Sequence, residues 1–302
     1  MNTKIKSLIG LSVVLTLSGC GGGGGSSAAV TQTTFTDWSS ISKPTQVNLE
    51  GISTDISYTA ASKINAITNK GTDLTTTASV SYRTDNTISK VEFSTQNGTV
   101  TFNEDGTDII GDTGAVLYGY NQAGSDFFLA ADPLDSNVNW NYQTFGMWET
   151  GRGTGSGTAG GISVGSATVG SNIPTSGSAT YSGYFGGALS DFDGDDFLTK
   201  GDVSVDANFA TRSLVFSTDS TQYVSPVASS PSWISGNSFD MDGTLTYSAA
   251  TNSFTGTVID GNSISGTATG KFYGPNAEEL GGVYNLSGSG LNLHAGAFGA
   301  KK

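Results

Sequence analysis

Cysteine, histidine and positive charge are scarce in this chain of 302 residues, and each shortage closes off a class of chemistry. The one cysteine, Cys20, leaves no partner for an intramolecular disulfide. The one histidine, His294, together with a single Cys, excludes zinc sites of the Cys/His type. A Ser-His-Asp hydrolase would need that His beside a nucleophile, in a chain with no G-x-S-x-G elbow. Thirteen Lys and Arg against 26 Asp and Glu give a net charge of −13, which argues against nucleic acid or an anionic lipid surface as partner. Only 13% of residues are charged and 43 are glycine, a composition that suggests disorder until the order of the residues is considered.

What is present begins at the N-terminus. Lys4 and Lys6 precede an uncharged run holding Leu8, Ile9, Leu11, Val13, Val14, Leu15 and Leu17, a positive start before an apolar core that is short of the roughly 20 residues needed to span a bilayer. Leu17-Ser18-Gly19-Cys20 follows, with small residues ahead of a thiol, and resembles the bacterial lipobox. Residues 1–19 therefore read as a lipoprotein signal peptide and Cys20 as the lipidation site. Its position between an apolar run and a glycine tract is not that of a core cysteine. Gly21 at the next position implies, for a lipoprotein, onward transport to the outer membrane. Residues 20–29 form a Gly/Ser tether, Gly21 to Gly25 with Ser26 and Ser27, that would hold the folded part clear of the lipid.

Beyond the tether apolar residues recur with a period of two, the mark of strands with one wet face. Ala78, Val80 and Tyr82 alternate with polar neighbours, as do Val91 with Phe93 and Val116 with Tyr118. Ala60, Ile64 and Ile67 break the pattern at helical spacing and permit a short helix. Asp132-Pro133-Leu134-Asp135 reads as a turn and sets the expected boundary between a β-rich domain of residues 30–135 and a second of residues 136–302. In the second, eight runs near 179–188, 199–209, 212–218, 239–247, 253–259, 263–273, 281–287 and 291–299 predict an eight-stranded antiparallel up-and-down β-barrel, whose closure removes exposed edges. Val203, Val205, Ala207 and Phe209 form one apolar face, and Leu291, Leu293, Ala295 and Ala297 another. Small residues such as Gly266, Ala268 and Gly270 leave room for Phe239 and Tyr247 across a filled interior. The fold class is all-β throughout.

The run from Phe272 through Tyr273-Gly274-Pro275 and Gly281-Gly282-Val283 to Tyr284, and the ending Gly296-Ala297-Phe298-Gly299-Ala300-Lys301-Lys302, resemble the C-terminal barrel signature of transferrin-binding-protein-B-like surface lipoproteins. Tyr142 to Trp148 and Gly201 to Phe209 are similar to two further stretches of the same domain, so the resemblance covers roughly residues 140–302. It implies that residues 30–135 take the place of the family's handle domain. It further implies an outer-membrane, cell-surface lipoprotein that binds a protein or an iron- or haem-source ligand and passes it to a TonB-dependent transporter, with a surface-lipoprotein translocator as a further partner. True transferrin receptors of the family carry two handle-plus-barrel lobes, and this chain presents one. An adhesive or structural surface lipoprotein without a transport role is the alternative; an enzyme is the remote one, since no catalytic constellation is visible.

Among candidate sites, Asp191, Asp193 and Asp195 lie in the D-x-D-G-D spacing of a calcium loop, with Asp202 at the twelfth position, but Gly194 is fourth rather than sixth and the flanks are strands. A solvated acidic hairpin, with Asp193-Gly194 as its turn, is the plainer reading; otherwise no cofactor is expected. Gly155-Ser156-Gly157-Thr158-Ala159-Gly160 satisfies G-x-G-x-x-G yet precedes no helix, which leaves a strand connection rather than a dinucleotide site. His294 falls out of phase with Leu291, Leu293 and Ala295 and is expected on the outer, solvated face. Residues 217–238 read as a long irregular stretch whose Tyr223 and Trp233 offer rigid aromatic contact, and these two are the ligand-binding candidates.

Overall fold

The computed structural model describes residues 32–226 and 232–302; residues 1–19, read above as a signal peptide, and Cys20 with residues 20–29, read as the anchor and tether, lie outside the described residues. The described chain is all-β, with two antiparallel sheets joined only by short 3-10 turns and loops. The first sheet is built from β1 (Gln32–Thr34), β2 (Thr45–Ala60), β3 (Ile64–Tyr82), β4 (Ile88–Thr95), β5 (Gly98–Asn103), β6 (Ile109–Asp112), β7 (Val116–Tyr120), β8 (Phe127–Ala131), β9 (Gln143–Thr150) and β10 (Ser156–Gly165). Its order is β5-β4-β3-β2-β10-β9-β8-β7-β6, with β1 parallel to the start of β2. The end strands β5 and β6 approach each other without pairing, so the sheet is nearly closed.

The second sheet holds β11 (Ser178–Ser190), β12 (Asp196–Asn208), β13 (Ser213–Val224), the two-residue β14 (Ile234–Ser235), β15 (Met241–Tyr247), β16 (Phe254–Asp260), β17 (Ser265–Tyr273), β18 (Glu279–Ser287) and β19 (Leu293–Lys301). Each of β11, β12, β13 and β15 to β19 pairs with its successor, and β19 pairs back onto β11. This is the closed eight-stranded up-and-down barrel that the alternation predicts. Its interior is packed by Tyr181, Phe185, Val203, Val205, Phe216, Met241, Leu245, Phe254, Phe272, Tyr284 and Phe298, all buried. Small residues make the space for these rings: a Cβ at Gly270 would stand 2.3 Å from the Phe254 ring.

The partition of strands differs from the expected boundary. β9 and β10 belong to the first sheet, and the two sheets separate between Gly165 and Ser178, not at residues 132–135. The alternation around Tyr142 to Trp148 is a strand pattern, but a strand pattern does not say which sheet it joins. Nor does Ala60 to Ile67 form a helix. It is the tip of the long β2–β3 hairpin, where a turn at residues 61–63 shifts the phase of the apolar residues and mimics helical spacing.

The two sheets dock face to face, and the docking buries both sides of the last two strands. Every residue of β19 from Leu293 to Ala300 is buried. Phe298 and Ala300 point into the barrel. Leu293, Ala295 and Ala297 point the other way, onto Ile52, Ile56, Phe145 and Ala159 of the first sheet. The backbones come close at Gly161 and Gly296, where a Cβ on Gly161 would lie 2.3 Å from the Gly296 carbonyl oxygen. Several polar groups in the seam are paired across it, although the buried Gln143 carboxamide is not. The Asn69 and Asn285 carboxamides exchange hydrogen bonds of 2.9 and 3.0 Å, and the Tyr273 hydroxyl lies 3.1 Å from both Oγ and the carbonyl oxygen of Ser163. The Glu279 carboxylate accepts from the backbone N–H of Asn141 at 2.6 Å and of Tyr142 at 3.0 Å.

Candidate ligand-docking cleft

Where the outer face of β7 to β9 turns away from the outer face of β11 and β12, the sheets leave an open cleft of about 620 Å³. Strand alternation places its lining. Leu117 faces the interior of the first sheet, so Val116, Tyr118 and Tyr120 face out. Phe185 fills the barrel, so Tyr184 faces out. Val116, Leu129, Met147, Tyr184, Leu198 and Trp233 supply apolar surface to the cleft. Three of them are exposed at its rim, Val116 at 40%, Tyr184 at 44% and Trp233 at 42%. The Lys200 ammonium sits 4.3 Å above the Trp233 ring and fixes the indole at the edge of the barrel. The apolar surface continues along β7 to Tyr118 and Tyr120, whose rings stack at 6.2 Å, and to exposed Ile109 opposite Tyr120. Exposed aliphatic and aromatic residues scattered singly are ordinary, whereas a run spanning both units marks a contact surface.

The two aromatic residues singled out from the sequence part company here. Trp233 is on the cleft rim. Tyr223 is not in a loop but on β13, and its ring packs at right angles to Phe197 at 5.4 Å and nearly so to Phe239 at 5.7 Å. These rings close one end of the barrel, with His294 beneath them: Phe239 lies 6.3 Å and Tyr284 5.0 Å from the imidazole. His294 is therefore not on the solvated face; it is fully buried inside the barrel. Its Nε2 stands 3.1 Å from the Thr199 hydroxyl and 3.2 Å from the Tyr284 hydroxyl, and its Nδ1 has no partner. Burial presses its pKa from 6.5 down to about 3, which keeps the ring neutral. The apolar run Leu293, Ala295, Ala297 suggested the opposite orientation because it faces the other sheet rather than the barrel.

The acidic turn also has a use different from metal binding. Asp191 accepts from the N–H groups of Asp193 and Asp195 at 3.0 and 2.9 Å and so shapes its own loop. Asp195 pairs with Lys63 at 2.7 Å and Asp196 with Arg152 at 2.6 Å, while the Ile64 N–H donates to the Gly194 carbonyl. Arg152 also lies 4.0 Å from Glu149, which accepts from the Tyr58 hydroxyl at 2.6 Å and whose pKa is raised, chiefly by burial. The turn hooks the barrel onto the first sheet. Among the described residues no three His, Cys, Asp or Glu side chains form a group able to hold a metal ion, Asp191, Asp193 and Asp195 included.

The fold thus defines a two-unit β protein with a filled barrel, a nearly closed companion sheet and an apolar cleft between their outer faces. Residues 173–302, which hold the C-terminal barrel, match the family described as the C-lobe and N-lobe beta barrels of Tf-binding protein B. Similar solved structures include a transferrin binding protein B double mutant from Haemophilus parasuis Hp5, 12% identical, covering 85% of this chain and 76% of that one, with a TM-score of 0.44. The isotype 1 transferrin binding protein B of serogroup B Neisseria meningitidis is 16% identical, with 83% of this chain and 43% of that one covered and a TM-score of 0.42. A structure described as a surface lipoprotein is 14% identical, with 83% and 98% covered and a TM-score of 0.42. No curated protein matches the sequence.

Proposed function

We propose that this chain is a cell-surface lipoprotein of the outer membrane, anchored through Cys20. Its role would be to capture a protein or an iron- or haem-source ligand and pass it to a TonB-dependent transporter. The cleft carries the reading. A packed barrel has no room for a guest, so capture falls to the surface, and Val116, Tyr184 and Trp233 present exposed apolar contact at one mouth shared by both units. No helix among the described residues is long and apolar enough to cross a membrane, which fits attachment by lipid. The test is binding of transferrin, haemoglobin and free haem to the immobilised ectodomain. Wild type is expected to retain one of them, and the folded Tyr184→Ala/Trp233→Ala double variant to bind it at least about tenfold more weakly, roughly 1.4 kcal/mol. No binding of any of the three removes the iron-source reading; equal binding by the variant removes the cleft. Retention without any effect of deletion on uptake would leave adhesion as the role.

A further inference from the structure

The first sheet holds a second space, which shares lining residues on β8 and β9 with the cleft but is otherwise walled by β2, β3, β4, β6 and β10. Between its inward faces lies a cavity of about 600 Å³, within the range of roughly 300–1,000 Å³ typical of small-molecule sites. The barrel of the same chain, built by the same alternation, is filled by large rings. Here the inward positions of the wall include the small Ala78, Ala130 and Gly146 beside Leu49, Val80, Val91, Phe93, Ile110 and Phe128. An apolar space of this kind gives water few hydrogen-bond partners and favours an apolar guest. Charge is confined to the mouth. Asp85, Glu104, Asp112 and Asp132 line it with Lys43 and Arg83. Arg83 is held by Glu104 and by Asp105 at 2.6 Å. Lys43 lies 4.2 Å above the Tyr82 ring, and Asp132 is the carboxylate acting on it. The mouth is therefore negative overall, with Asp85 and Asp112 exposed at its edge.

We infer that this cavity binds a hydrophobic small molecule with a neutral or cationic head, and that carboxylate and other anionic amphiphiles are rejected at its acidic mouth. The apolar wall supplies affinity and the mouth supplies selectivity. Haem, with its two carboxylates, is on the rejected side, which separates this site from any iron-source capture at the cleft.

The test uses the purified ectodomain and the neutral, polarity-sensitive dye N-phenyl-1-naphthylamine, displaced by three guests of equal chain length: decanol, decyltrimethylammonium and decanoate. Saturable dye fluorescence is expected, with decanol and decyltrimethylammonium displacing it at concentrations at least about tenfold below those needed for decanoate. Ala78→Phe, which fills the cavity from a position that does not line the cleft, should abolish dye binding in a protein with an unchanged circular dichroism spectrum. Should that variant not fold, Ala78→Leu offers the smaller filling. Independently of packing, Asp85→Asn with Asp112→Asn, both at exposed positions, should narrow the gap between decanoate and decanol. The inference is overturned by absence of saturable dye binding, by decanoate competing as well as decanol, or by a folded filling variant that binds the dye as wild type does.

Discussion

Replacing His294 by Gln should make the protein less sensitive to mild acid, and the size of the effect follows from the burial of the ring. In the folded barrel the imidazole titrates near 3; in the unfolded chain it returns to 6.5. The unfolded state therefore binds the extra proton first as pH falls. The stability that the neutral ring brings is complete above pH 6.5 and is lost progressively down to about 3. At pH 5 the unfolded imidazole is 1.5 units below its pKa while the folded one is still neutral, so at about 1.36 kcal/mol per unit wild type should have lost about 2 kcal/mol through this residue. No carboxylate offsets this: the ring's neighbours are Thr199, Tyr284, Phe185 and Phe239. Half-buried Glu149 and buried Glu279 and Asp260 have raised pKa values, chiefly through desolvation, and act with the opposite sign, which is why the difference between wild type and variant is the informative quantity. Urea unfolding at pH 8 and pH 5 measures it for both proteins. Gln cannot titrate, so its loss should be smaller by about 2 kcal/mol. Equal losses, within about 0.5 kcal/mol, would refute the claim that a neutral imidazole is locked in the barrel.

Other outcomes follow from the same geometry. Gly161→Val puts side-chain atoms into the Gly296 carbonyl and should lower stability by about 1–3 kcal/mol or more, whereas Gly186→Ala, whose Cβ meets nothing nearer than 3.7 Å, should stay within about 0.5 kcal/mol; urea midpoints compare the two. Tyr223→Ala removes the plug packed on Phe197 and Phe239 and should cost about 2–3 kcal/mol of stability, while Trp233→Ala should leave the urea midpoint almost unchanged. Cys20→Ser should leave the protein unprocessed or move it out of the membrane fraction on cell fractionation, and a variant still processed and anchored like wild type would end the lipoprotein reading.

The barrel was legible because each of its eight strands carries its own alternation, and an up-and-down order needs only successive pairing. What escaped were places where alternation is interrupted or carries no phase. Tyr223 reads as part of an irregular stretch because β13 holds Ser220 at a φ of 55°, opposite a register shift between Lys200 and Asp202. That irregularity rotates the later residues relative to the earlier ones and hides the strand. Val116 and Tyr184 carry no sequence signal as cleft residues for a different reason. Their exposure depends on where two sheets diverge, and no local pattern records that.

The reversed orientation of His294 shows what the recognisable motifs encode. On a strand with one wet face the polar residues mark the outside, but β18 and β19 have no wet face, and alternation there sorts residues only between two dry environments. Close approach of two sheets then selects for small residues: Gly281, Ala297 and Gly299 lie on the docking side of these strands, and a Cβ at Gly281 would collide with Gln143 and Ser163 of the first sheet. Three of the stretches that carry the family resemblance, Tyr142 to Trp148, Phe272 to Tyr284 and Gly296 to Lys302, lie at or beside this seam. They are constrained by docking the barrel to its companion sheet, a requirement independent of the ligand. The exposed contact residues, Val116, Tyr184 and Trp233, fall outside those stretches, where packing imposes no comparable limit. That is why the sequence declares the architecture at its C-terminus but not the residues that line the cleft.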